Sequence, residues 1–233
     1  MKFLSALKIF VHSTCPKVYE PLERYYTKKH DKNKGQRFQK NALEVFPQFV
    51  EAMNDAEVTF WPTFGTLLGC IRDKGLIPHD NDMDIAILVT TDFERMNQSL
   101  TQRGFVLSRM VTLFSKNGNQ EKGYVATYMK DDVGIDLFAT TLKEDGNIVM
   151  NEFLDSKVGD GFRLWTICRA ITIPFEGLMD YNFLGCKVKV PTNYDAYLTA
   201  LYGNYMVPDP NWKREMSPAA SIMEGCIGVR FDK

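Results

Sequence analysis

The stretch "GLIPHDNDMDIAI", residues 75–87, decides how the rest of this chain is read. It places Asp80, Asp82 and Asp84 at alternate positions and runs straight into the apolar segment "DIAILV", residues 84–89, which reads as a buried strand. On a strand, residues two apart face the same side at about 7 Å separation. Asp82 and Asp84 are therefore expected to point together, with Met83 and Ile85 on the opposite, core-facing side. Two carboxylates that close repel, which raises one pKa or demands a partner. No Lys or Arg alternates with them, so the natural counter-charge is a hard divalent cation with oxygen ligands, Mg2+ or Mn2+. An EF-hand calcium loop starting at Asp80 fails, because its sixth position is Ile85 rather than Gly and its twelfth is Thr91 rather than Glu.

Asp136 stands out by its setting. In "GIDLFAT", residues 134–140, it is flanked by Ile135 and Leu137 inside what otherwise reads as a buried strand. An unpaired charge there costs several kcal/mol. If that strand lies beside residues 84–89, Asp136 completes a three-carboxylate site able to hold one or two metals. Asp80, following "IPH", also fits a plain turn or cap position. Upstream, "FGTLLG" (64–69) puts Gly65 and Thr66 at a strand-to-helix junction, where backbone N–H groups are free to meet an anion.

Around these motifs the chain reads as mixed α and β. "KKHDKNKG" (28–35) is linker-like, and a helical stripe of Phe38, Ala42, Val45, Phe49 and Met53 follows, with Pro47 expected to kink or restart the helix. "VTFWPTF" (58–64) is a short strand that Pro62 places at a sheet edge, and "TLLGCIRD" (66–73) a short helix. "TDFE" (91–94) has capping-box spacing and opens a helix to about Arg103. Strands are expected at 105–111, 124–130 and 134–142, then a turn at "KEDGN" with a return strand. "KVKVP" (187–191) is a further strand, and "TNYDAYLTALYG" (192–203) a capped helix ended by Gly203. Without regular β-α-β alternation, this is an α+β domain around one sheet.

The totals exclude several classes. A composition of 45% hydrophobic, 24% charged and 12% aromatic residues over 233 residues argues against disorder and collagen-like repeats. No apolar run approaches the roughly 20 residues that cross a bilayer. "MKFLSALKIFV" is a poor signal sequence, since Lys8 interrupts it and no small-residue cleavage site follows; the expectation is a cytoplasmic protein. Five scattered cysteines (Cys15, Cys70, Cys168, Cys186, Cys226) form no C-x-x-C pair and suit a reducing compartment.

The net charge of −1 hides an asymmetry: residues 1–40 carry ten Lys/Arg against three Asp/Glu. Residues 1–36 are accordingly read as a basic segment, either a mobile solvated arm or one in peripheral contact with an anionic membrane surface, and 37–233 as the catalytic domain. No basic stripe interleaved with aromatics follows, so nucleic acid is not an expected partner.

A glycine turn, a short helix, D-x-D on a strand and a later h-D-h strand resemble the nucleotidyltransferase fold of polymerase β-like enzymes, a mixed sheet flanked by helices. More closely, "GTLLGCIRDKGLIPHDNDMDIAI" (65–87), "GIDLF" (134–138) and "FLGCKVKVPTNYDAYLTALYGNYMVPDP" (183–210) resemble, in order, the motifs of the LicD/fukutin family of phosphotransferases. That resemblance implies transfer of a phospho-alditol, phosphoglycerol or phosphocholine group from a CDP-activated donor to a sugar hydroxyl of a glycan or lipid-linked saccharide. It also implies that Asp82, Asp84 and Asp136 bind the metal and that Gly65 and Thr66 contact donor phosphates. Arg72 would neutralise charge near the pyrophosphate, and Tyr202 with Gly203 falls in the late motif. His79 and Asn81 stand where choline-transferring bacterial relatives usually show Trp and Asp, which leaves the donor open.

Two rivals use the same carboxylates: a nucleotidyltransferase acting on an NTP, and a D-x-D glycosyltransferase. The latter predicts a nucleotide-binding α/β half before the motif, where this chain has only about 80 residues that read as helical.

Overall fold

The computed structural model of the chain describes residues 16–158 and 162–231. Its first element, α1 (Pro16–Asp55), is one long helix. The expected apolar stripe is real: Phe38, Ala42, Val45, Phe49 and Met53 are all buried, joined by Phe46 and Ala52. One expectation fails here: "KKHDKNKG" lies inside the helix instead of forming a linker. At Pro47 the helix runs on without restarting. A lysine-rich run is compatible with helix propensity. Pro47 forfeits one backbone hydrogen bond, but its neighbours anchor the turn: Phe46 stacks near Phe49 and packs edge-on against Phe183, at 6.2 and 5.4 Å between centroids. Of the basic segment, residues 1–15 lie outside the described residues, and the helix runs across position 36. Among the described residues no helix is long and apolar enough to cross a membrane.

Next come β1 (Phe60–Pro62), α2 (Phe64–Leu68) with a single π-helical turn at Gly69–Asp73, β2 (Met83–Leu88) and α3 (Phe93–Gln102). The cap of α3 is Asp92, which accepts the Arg95 N–H at 3.1 Å, so the helix starts one residue later than the capping-box spacing placed it. The strands β3 (Val106–Phe114), β4 (Gln120–Lys130), β5 (Val133–Leu142), β6 (Asn147–Val158) and β7 (Phe162–Pro174) follow. The chain ends with the hairpin β8 (Leu178–Phe183) and β9 (Cys186–Pro191), then α4 (Tyr194–Tyr202), a 3-10 turn at Arg214–Met216, β10 (Ala220–Ile222) and β11 (Ile227–Phe231).

The expected α+β class holds, with strands dominating: nine strands form one mixed sheet and the β8–β9 hairpin stands apart. β1 lies at the sheet edge on β2, as Pro62 requires. β2 pairs with β5 in parallel, while the remaining pairings are antiparallel. The order β3-β4-β5-β6-β7-β11 returns to β3, so six strands close a ring, joined most thinly where β5 meets β6 at two residue pairs. The long β7 and the late β10 and β11 were not legible in the sequence. They are what turns an open sheet into a curved wall around one face.

Candidate active site

Parallel pairing of β2 with β5 sets Asp84 directly opposite Asp136. On the other side of β5, Asp136 is in register with Thr127 of β4, and Thr127 is in register with Arg109 of β3. Direct cross-strand partners project to one face, so Asp84, Asp136, Thr127 and Arg109 form a row across four strands. The Arg109 guanidinium donates to Asp136 Oδ2 at 3.2 Å and Oδ1 at 3.4 Å, and its Nε donates to Thr127 Oγ1 at 3.0 Å. The Thr127 hydroxyl in turn donates to Asp136 Oδ1 at 2.5 Å. The charge that "GIDLF" alone left without a partner is thus paired by an arginine 27 residues upstream. An arginine in the middle of the apolar run "VLSRMVTLF" was the available signal for it.

A cleft of about 590 Å³ opens over this row. Asp82, Asp84, Asp136, Glu152 and Asp155 bring carboxylates to it, Arg109 and Arg214 bring cations, and Phe64, Trp165, Tyr202 and Trp212 supply aromatic walls. Asp84 is at the electrostatic centre. Burial pushes its carboxyl well above the ordinary range, and Asp82, Asp136, Asp80 and Glu152 push it further in the same direction. Asp80 is pushed up to about 6, first by burial, with His79 opposing and Asp82 and Asp73 adding. Crowded carboxylates with hard oxygen donors are the chemistry that Mg2+ or Mn2+ relieves, so the residues present suit such an ion. Among the described residues, no three His, Cys, Asp or Glu side chains are gathered closely enough to hold a metal as they stand. Asp136 is turned to Arg109 and Thr127 instead.

Local structure holds Asp84 by its backbone. Its N–H donates to the Thr66 hydroxyl at 2.8 Å, and its carbonyl accepts the Thr63 N–H at 2.9 Å. Thr66 is buried, and its hydroxyl holds the head of β2 against α2. Gly65 lies between those two threonines; a Cβ there would come within 3.5 Å of the Asp80 carboxylate and 3.8 Å of that of Asp84. Phe64, just before it, has a left-handed backbone (φ 42°) and packs edge-on against Phe138 at 4.9 Å. Backbone strain of this kind is found where surrounding structure holds it for function. The loop carrying Asp80 is tied to α1, whose Gln39 side chain donates to the Ile77 carbonyl at 2.8 Å.

Arg72 is not among the residues lining this cleft. It forks onto Asp73, with Nε to Oδ1 at 2.8 Å and Nη2 to Oδ2 at 2.9 Å, and reaches the Tyr205 carbonyl at 3.4 Å. Arg72 lines a second cleft, of about 580 Å³. Tyr202 lines both clefts, as does Trp212, whose ring lies 4.7 Å from that of Tyr202. The Tyr202 phenol is raised well above its usual pKa by burial and then by Asp84 and Asp80. Of the other aromatic candidates, Trp61 is core, stacked on Phe175 at 5.3 Å, and Tyr205 pins α4 by donating its hydroxyl to Asp195 at 2.8 Å. Sequence reasoning missed Arg109, Thr127, Glu152 and Arg214. The last sits in an irregular segment that carried no pattern.

The chain belongs to the LicD family: the family model described as "LicD/FKTN/FKRP, nucleotidyltransferase domain" matches residues 57–193, more than half of the chain. That span contains all five carboxylates of the cleft and Arg109. Similar curated proteins are the ribitol-5-phosphate transferase FKTN of mouse, at 26% identity over 183 residues, and those of human and the macaque Macaca fascicularis, at 27%. Each alignment covers 78% of this chain and 36% of the relative, so the chain spans about a third of the length of the curated relatives it matches.

Proposed function

We propose that this protein is a metal-dependent phosphotransferase. It moves a substituted phosphate, in the form of a phospho-alditol, phosphoglycerol or phosphocholine group, from a CDP-activated donor to a sugar hydroxyl of a cell-surface glycan. The observation that carries this reading is the register match of Asp84 with Asp136, which puts the two sequence motifs side by side on one face. The activity for which the similar proteins are named, ribitol-5-phosphate transfer, favours an alditol among the candidate groups. Asp82, Asp84 and Asp136 are the carboxylates that would hold a Mg2+ or Mn2+ ion, which would supply charge neutralisation for the non-bridging oxygens of the diphosphate.

The chain's own residues do the rest. Gly65 leaves room for the phosphates, and Thr66 holds Asp84 in place. Arg109 and Arg214 are the cations lining the cleft, while Arg72 acts from next door, its charge felt by Asp80 and Tyr202. In the reaction the acceptor oxygen forms a bond to the donor's β-phosphorus as the bond to CMP breaks, with the two oxygens in line. The hydroxyl proton passes to Asp136, whose Oδ1 is held by Thr127 and whose Oδ2 is the less engaged oxygen. The +7 charge of residues 1–40 supports peripheral contact with an anionic membrane, where a lipid-linked acceptor would be met.

The test is a donor screen. CDP-ribitol, CDP-glycerol, CDP-choline, UDP-sugars and NTPs are each added with Mg2+ or Mn2+, and thermal stabilisation and CMP release are followed for wild type and Asp82→Ala. Stabilisation by a CDP compound, with metal-dependent CMP release that the variant lacks, is expected. A response confined to NTPs or UDP-sugars overturns the reading in favour of a nucleotidyltransferase or a glycosyltransferase.

A further inference from the structure

The second cleft shares an aromatic wall, Tyr202 and Trp212, with the carboxylate cleft. At about 580 Å³ it is as large as its neighbour and within the usual range for a small-molecule site. Its chemistry is different. Among the described residues its lining holds none of the five carboxylates of the first cleft and a single one of its own, Asp209, while its guanidinium, Arg72, is already forked onto Asp73 and reaches the Tyr205 carbonyl. What remains is a broad apolar and aromatic surface that includes Ile77, Val207 and Pro208, with the Asn204 amide and the His79 imidazole among its polar groups.

We propose that this second cleft is the acceptor subsite and takes an uncharged saccharide ring; the assignment rests on the phosphotransferase reading above. A sugar ring offers a C–H face to an aromatic wall and hydroxyls to an amide, which donates and accepts at once. A phosphate or diphosphate is the wrong occupant, because the cleft's guanidinium is committed to an internal carboxylate. In-line transfer also requires that the acceptor oxygen approach phosphorus opposite the leaving group. Two clefts meeting at one wall provide two directions of approach, with the phosphates on the carboxylate side.

The wall is held in place. Gly203, at φ 69°, ends α4, and the Tyr205 hydroxyl is bonded to Asp195 while its carbonyl is reached by Arg72. A site of fixed shape loses less entropy on binding.

The experiment uses saturation-transfer NMR on the full chain, with two separate probes: CMP in the presence of Mg2+, and methyl glycosides of glucose, galactose and N-acetylgalactosamine. Asn204→Trp and Val207→Trp place bulk into the cleft at exposed positions, so the fold is spared; Asp82→Ala perturbs the other cleft. Expected is that at least one glycoside contacts the wild type and loses its signal in both Trp variants, while CMP affinity stays within about twofold. Asp82→Ala should weaken CMP and leave the glycoside. Glycosides that give no signal on the wild type, or that bind both Trp variants equally, overturn the acceptor assignment and leave the phosphotransferase reading standing. CMP affinity that falls in the Trp variants also overturns it, since the cleft then holds the nucleoside. If no CDP compound binds the wild type, the underlying reading fails and takes this assignment with it.

Discussion

Arg169 is the guanidinium that ties the wall of the acidic cleft to the segment carrying Arg214. It lies opposite Glu152 in the β6–β7 pairing and forms an ion pair with it, the two side chains being only 7% and 12% exposed. Two of its nitrogens also donate to the Arg214 carbonyl, at 3.1 and 3.2 Å. Replacing Arg169 by Met keeps the apolar stem but removes every one of these donors. Glu152 then loses its ion-pair partner at a poorly hydrated position, in a cleft where Asp84 already feels it as a like charge. Breaking a buried pair from one side costs about 3–5 kcal/mol. For a chain of this size each kcal/mol lowers Tm by about 2–4 °C, so a fall of roughly 6–20 °C is expected. The double variant Arg169→Met/Glu152→Leu removes both charges and should recover about 2–3 kcal/mol of that loss through coupling. Urea unfolding followed by circular dichroism and tryptophan fluorescence measures all four corners of the cycle. A cost below about 1 kcal/mol for Arg169→Met would place the pair among weak surface bridges. Simple additivity in the double variant would show that the two side chains do not depend on one another. Either result refutes the reasoning.

Other outcomes follow from the same geometry. Asp84→Asn takes one charge out of the crowded row, so the metal-free protein should melt at or above the wild-type temperature and lose its stabilisation by Mg2+ or Mn2+; a retained metal shift in melting scans against EDTA contradicts the site. Arg109→Met leaves Asp136 unclamped and should slow CMP release at least about tenfold, with Arg109→Lys restoring only part, because an ammonium cannot fork across Asp136 and Thr127; an unchanged rate sets Arg109 outside the reaction. Burial pushes the Cys70 and Cys168 thiols up to about 12, so at neutral pH almost no thiolate is present. Iodoacetamide labelling of the native protein, mapped by mass spectrometry, should modify half-buried Cys226 ahead of both, and equal rates would argue against the packing described. Gly69→Ala would set a Cβ 2.6 Å from the Gly75 carbonyl, forcing the π-helical turn to move at a cost of about 1–3 kcal/mol; an unchanged Tm would contradict that contact.

Local chemistry made part of this protein legible in its sequence. Period-3.6 burial marked the stripe from Phe38 to Met53, and the alternation of charge and apolar residues marked Met83 and Ile85 as core with Asp84 on the other face. Pro62 announced an edge strand, and Gly203 a helix end. These signals survive because each depends on neighbours within a turn or two residues along the chain. The same local reasoning misjudged "KKHDKNKG", where the continuity of a long helix outweighed Asp31, Asn33 and Gly35, which disfavour it singly.

What local pattern does not carry is which strands become neighbours. That Asp84 and Asp136 share a face was conditional in the sequence, and the parallel register of β2 and β5 decided it. Arg109, Thr127 and Glu152 joined the same face only because β3, β4 and β6 were folded round it, and the six-strand ring closed through β7 and β11. The carboxylates of the proposed metal site were written in "DNDMDIAI" and "GIDLF". The charges that balance them, and the aromatic wall that the two clefts share, come from distant segments. Electrostatics and packing act through space, so those partners were set only when the chain folded.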